Sequence, residues 1–102
     1  MKPKAIIDLP KSATEEALER VRKEVESSFN QVDITYEYRN DISHPIARKF
    51  DRNGTDVGYI DWNDDAPSDL GCIDRDYDAY SIAMIANINR VANEAFNKRA
   101  QI

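Results

Sequence analysis

Cysteine, glycine and glutamate are each scarce or missing where they would matter. A lone Cys72 excludes any intrachain disulfide. The three glycines, Gly54, Gly58 and Gly71, fit neither a dinucleotide fingerprint nor a Walker loop, so a glycine-built phosphate cradle is excluded. The longest apolar run, Ile82-Ala83-Met84-Ile85-Ala86, is far short of a membrane span. Near the start, Ala5-Ile6-Ile7 is halted by Asp8, too soon for the core of a secretory signal. A cytoplasmic protein with no membrane partner is therefore expected.

Glutamate is absent from Asp51 to Asp78. That segment holds nine aspartates against Arg52 and Arg75, a net charge of −7, while the rest of the chain has 12 cations and 10 acids. Aspartate competes for nearby backbone N–H groups and so favours loops and caps over helix interiors. The pattern predicts a loop-built anionic surface. Such a surface repels nucleic acid and attracts basic protein surfaces or divalent cations.

The length of 102 residues, with 41% hydrophobic and 32% charged residues, predicts one globular domain over residues 1–102, able to bury a core. Ala5 to Leu9 reads as a short strand closed by Pro10. Ser12-Ala13-Thr14-Glu15 has the capping-box pattern, with Ser12 as the expected N-cap. Ala17, Leu18, Val21, Val25 and Phe29 follow at helical spacing. Glu16/Arg20, Glu19/Lys23 and Arg22/Glu26 are its candidate i,i+4 pairs.

Val32 to Arg39 alternates strictly, with Val32, Ile34, Tyr36 and Tyr38 on one side. Ile46–Phe50 and Val57–Trp62 flank Asn53-Gly54, a hairpin signal. A three-residue loop with Gly54 left-handed is preferred, because it gathers Ile46, Phe50, Ile60 and Trp62 on one face. Residues 63–77 read as an acidic loop, and Asp78 as the N-cap of a final helix to about Lys98 whose broad apolar side is Ile82, Ile85, Ile88, Val91, Ala92, Ala95 and Phe96. The expected class is α+β, a two-layer β-α-β-β-β-α. Its sheet would be antiparallel, with the first strand at one edge and both helices packed on one face.

Catalytic and metal signals are weak. Asp51-Arg52-Asn53-Gly54-Thr55-Asp56 begins like a calcium loop. However, Asp56 stands where that loop needs glycine and Trp62 where it needs glutamate. Asp74-Arg75-Asp76-Tyr77-Asp78 fails in the same way at Ala79 and Ile85. No motif joins Cys72 to His44 as nucleophile and base, and Cys72 beside Ile73 reads as a packed hydrophobe. No catalytic residue, metal site or cofactor is expected. Asn89, Asn93 and Asn97 form an i,i+4 row on the last helix, which reads either as a rim between buried and wet faces or as an uncharged partner surface such as a homodimer seam.

Leu9-Pro10, Ala17-Leu18, Glu24-Val25, Phe29 and Val32 to Arg39 resemble the front half of the DinI-like recombinase modulators, small acidic proteins of bacteria and phages. Those end in an acidic, tryptophan-bearing helix, whereas this chain ends Asn97-Lys98-Arg99-Ala100-Gln101-Ile102. The expected element order, with Asp78-Ala79-Tyr80 opening the last helix, also resembles ribosome hibernation factors. Those bind ribosomal RNA through basic surfaces, a feature absent from this composition.

The function expected from these residues is that of a small, acidic, non-enzymatic regulator. It would engage a basic protein, most naturally a nucleic-acid-binding one, through Asp61, Trp62, Asp64, Asp65, Asp69, Asp74 and Asp76. Carboxylates there would occupy cation sites otherwise used for phosphate, so no nucleic acid would be bound directly. The alternatives are an interaction module using the uncharged last helix and a divalent-cation-binding domain.

Overall fold

A computed structural model describes residues 2–52, 60–63, 66–73 and 79–98, with residues 60–63 and 66–73 described by backbone alone. Its elements are β1 (Lys4–Pro10), α1 (Glu15–Ser28), β2 (Asp33–Arg39), β3 (Ile46–Asp51), β4 (Ile60–Asn63), β5 (Ala66–Ile73) and α2 (Ala79–Asn97). The class is α+β, as the periodicities predict.

The main sheet is mixed rather than antiparallel, in the order β2-β1-β3. β1 runs parallel to β2, with Lys4 opposite Asp33 and Pro10 opposite Arg39, and antiparallel to β3. The expected edge strand is thus the central one. Helix α1 is the cause: it returns the chain to the start of β1, so the next strand must run parallel. β1 lies between two strands with the helices over one face, and arginine side chains from those neighbours cover Asp8 on the other, so the alternation that marks a half-wet strand is lost. Accordingly Ile7, Asp8, Leu9 and Pro10 are all buried.

Ala5, Ile7 and Leu9 meet Leu18, Val21 and Val25 of α1, Ala47 and Phe50 of β3, and Ile85, Ile88, Ala92 and Ala95 of α2 in one core. Each large side chain buried there contributes about 1.5–3 kcal/mol. Phe29 and Ile34 are half-buried at the core's margin.

Three further expectations are corrected or displaced. The N-cap of α1 is Thr14, whose hydroxyl accepts from the Ala17 N–H at 3.2 Å. Ser12 is held instead in a turn closed by Ala13 N–H donating to Pro10 O at 3.2 Å. The stretch read as a loop from 63 to 77 contains β5, paired antiparallel with β4. β3 makes its ladder with β1, and its register shifts between Ile6 and Ile7, leaving Arg48 as the extra residue. Gly54 and the turn assigned to it lie outside the described residues, as does the proposed cap Asp78.

Candidate functional site

Asp8 sits in the middle of β1 on the side away from the helices and is fully buried. What buries it is arginine. Arg48 Nε donates to its Oδ2 at 2.9 Å and Oδ1 at 3.2 Å, and Arg39 Nη1 donates to Oδ2 at 3.1 Å. The strand order places one arginine on each neighbour of β1, and the extra residue in β3 is the one that reaches Asp8. Each guanidinium also holds an outer carboxylate: Arg48 Nη2 donates to Glu37 at 2.8 Å, and Arg39 donates to both oxygens of Asp41 at 2.9 and 2.6 Å.

The electrostatics follow from these contacts. Asp41, with Asp8 second, raises the Arg39 pKa above its ordinary value, and the Asp41 carboxyl is lowered by the Arg39 hydrogen bond. Arg39 and Arg48 keep 40% and 31% of their side-chain surface exposed, so the network lies at the open face of the sheet with its central anion sealed beneath it.

The helix layer uses its polar groups internally as well. Asn89, buried, accepts the Ala47 N–H at 2.9 Å. Asn93 Nδ2 donates to Pro45 O at 2.8 Å and to Asn89 O at 2.9 Å. Two members of the asparagine row therefore clamp α2 to the start of β3. Arg20 of α1 donates to Ala95 O at 2.8 Å and Phe96 O at 3.1 Å, satisfying carbonyls that a helix C-terminus leaves orphaned. That contact replaces the anticipated Glu16/Arg20 pair. Arg22 likewise pairs with Glu15 and donates to the Tyr38 hydroxyl at 3.0 Å, while Glu26 accepts from Tyr36 at 2.9 Å. Only Glu19–Lys23 stands among the three expected pairs, at 3.9 Å. Burial first, then the hydrogen bond to Glu26, raises the Tyr36 pKa, so this phenol remains protonated.

Of the residues singled out for partner binding, Asp61 and Trp62 lie on β4 and Asp69 on β5. Asp64, Asp65, Asp74 and Asp76 lie outside the described residues. Asp51, the first of the nine aspartates, is buried at the end of β3 and so does not belong to the open anionic surface. Arg52 stacks its guanidinium 4.7 Å from the centre of the Tyr80 ring, which in turn lies 6.3 Å from Phe50.

Among the described residues no group of three or more His, Cys, Asp or Glu side chains is arranged to hold a metal ion, and no helix is long and apolar enough to cross a membrane. An open depression of about 630 Å³ lies between Glu24 and Ser28 of α1 on one side and Arg90 and Glu94 of α2, with Lys98 just beyond its end, on the other. Its charges are balanced in sign, and Arg90 pairs with Glu94 at 3.1 Å.

Sequence reasoning missed Asp8, Arg39 and Arg48, and it read Asn89 as a rim or partner-surface residue where the structure buries it. The one local signal for Asp8 is an acid interrupting the apolar run of β1; its partners lie 31 and 40 residues away. No protein-family model, no curated protein and no solved structure matches this chain.

Proposed function

We propose that the chain is a small non-enzymatic binding protein of the cytoplasm whose aspartate-rich segment engages a basic protein surface. The observation that supports this reading is the separation of charge. Arg20, Arg22, Arg39, Arg48 and Arg90 are all engaged within the α/β layer, whereas Asp51–Asp78 carries net −7. Cations already committed to partners in their own layer are poorly placed to neutralise the acidic segment as well, and its field is then offered to a partner.

The finer reading is competition. Asp61, Asp64, Asp65, Asp69, Asp74 and Asp76, with Trp62 as an aromatic anchor, would occupy the lysine and arginine sites with which a nucleic-acid-binding protein reads phosphate. Binding through α2 has less support, because Asn89 and Asn93 are already bonded to the β3 region. The test is affinity for a panel of basic DNA-binding proteins at low and high salt, with and without duplex DNA as competitor. The expected complex weakens steeply with salt, yields to DNA, and is lost in the variant with Asp61, Asp64, Asp65 and Asp69 all changed to Asn. Equal affinity of parent and variant at both salts would remove the acidic segment from the function.

A further inference from the structure

The two edges of the main sheet are finished differently. At the β3 edge, α2 closes the backbone: Asn89 takes the Ala47 N–H and Asn93 holds Pro45 O. The β2 edge has no such cover among the described residues. Asp33 N–H donates to Pro3 O and Lys11 N–H to Arg39 O, so Asp33, Thr35, Glu37 and Arg39 direct their backbone groups toward β1. By the alternation of a parallel ladder, Ile34, Tyr36 and Tyr38 direct theirs outward. The strand pairs with β1 over all seven residues without a register shift. Its sequence, Asp-Ile-Thr-Tyr-Glu-Tyr-Arg, has no lysine, proline or bulge, and its three charges, Asp33, Glu37 and Arg39, are of both signs, so they can complement a second copy instead of only repelling it.

From this edge we infer that two copies of the chain associate through β2, antiparallel about a two-fold axis at Tyr36, joining their three-stranded sheets into one of six strands. The register is set by the sequence itself. With Tyr36 opposite its own copy, Ile34 faces Tyr38 of the other copy, Thr35 faces Glu37, and Asp33 faces Arg39. Opposite charges thus adjoin at both ends of the interface, beside the Lys2–Asp33 pair at 3.5 Å and the Arg39–Asp41 pair at 2.6 Å that each copy already makes. They meet at non-hydrogen-bonded positions, where facing side chains approach most closely. Sliding the symmetric pairing to either neighbouring register that keeps outward groups opposed sets Asp33 against Glu37, or Glu37 against itself.

Two surface features suit the same register. Tyr38 is 47% exposed although aromatic, and Arg22 holds its hydroxyl in place at 3.0 Å. It would come opposite Ile34, beside a depression of about 330 Å³ lined by Glu26, Phe29, Val32 and Ile34. Isologous contact supplies this match twice. The acidic ribbon of β4 and β5 neighbours β3 and α2, and β3 is the opposite edge of the sheet, so pairing through β2 leaves that segment accessible and does not depend on the function proposed for it.

The experiment uses the full chain. Sedimentation equilibrium across a concentration series is expected to show a reversible dimer, and Asp33→Lys, which sets two cations face to face at each end, is expected to weaken it roughly tenfold or more. Register is read by cross-linking in a Cys72→Ser background. Thr35→Cys mixed with Glu37→Cys is expected to form an interchain disulfide under mild oxidation, because facing Cα atoms about 4.5 Å apart fall within disulfide reach. Either variant alone is expected to remain uncross-linked. A parent that stays monomeric to roughly millimolar concentration, beyond any useful affinity, would overturn the inference. So would a dimer indifferent to Asp33→Lys in which the Thr35/Glu37 mixture fails to cross-link.

Discussion

Asp8 is a carboxylate sealed into a sheet by two arginines that themselves reach water. Taking a charge out of water is costly, and such a network is retained only when its geometry is good. Here three arginine hydrogen bonds of 2.9 to 3.2 Å converge on one carboxylate. Asp8→Ala is expected to destabilise the fold by about 3 kcal/mol, the lower end for a broken buried pair, because the guanidiniums left behind can hydrate. A urea midpoint lowered with an unchanged slope is the measurement that checks this.

Tyr36 makes the complementary case at alkaline pH. Its pKa is raised in the folded chain, first by burial and then by Glu26. Above about pH 10 the unfolded chain releases a proton that the folded chain retains. The corresponding stability is therefore complete below that pH and is lost as pH rises through the folded value. Tyr36→Phe is expected to lose less stability than the parent between pH 9 and pH 11, the comparison cancelling the other tyrosines. Identical pH profiles for the two chains would show that Tyr36 does not contribute.

At the scale of elements, the helices were the most legible part of the sequence. Leu18, Val21 and Val25 recur at helical spacing and are buried in α1, and Ile85, Ile88, Ala92 and Ala95 do the same in α2. A helical stripe is a local property, so reading it needs no knowledge of partners. Attachment is another matter. Asn89 looks like a rim residue in sequence, yet it is buried and accepts the Ala47 N–H. Asn89→Ala is expected to cost about 1–3 kcal/mol, since it removes a buried acceptor from a backbone donor. Asn93→Ala should cost less, its bonds being only partly buried. Thermal or urea unfolding of both variants ranks them directly, and equal effects would argue against the clamp.

At the scale of the whole molecule, charge is unevenly distributed along the chain. Nine aspartates within Asp51–Asp78 repel one another, and screening extends over roughly 8 Å at physiological ionic strength. The variant with Asp61, Asp64, Asp65 and Asp69 changed to Asn is expected to unfold at a slightly higher temperature than the parent in low salt. That gap should close in high salt, as screening replaces mutation. A gap that persisted at high salt would point to specific contacts rather than general repulsion.

The sequence by itself determined the α+β class, the positions of α1, β2 and α2, and the apolar faces of both helices, because periodicity and local capping chemistry act over a few residues. Even there the cap moved from Ser12 to Thr14, since the Pro10–Ala13 turn claimed Ser12. Only the tertiary structure decided that β1 is central, that β2 runs parallel to it, that Ala66–Ile73 forms a strand, and that Arg39 and Arg48 close over Asp8. Those are pairings between residues tens of positions apart. Their free energy depends on which strand edges the α1 crossover brings together, and no window of neighbouring residues contains that quantity.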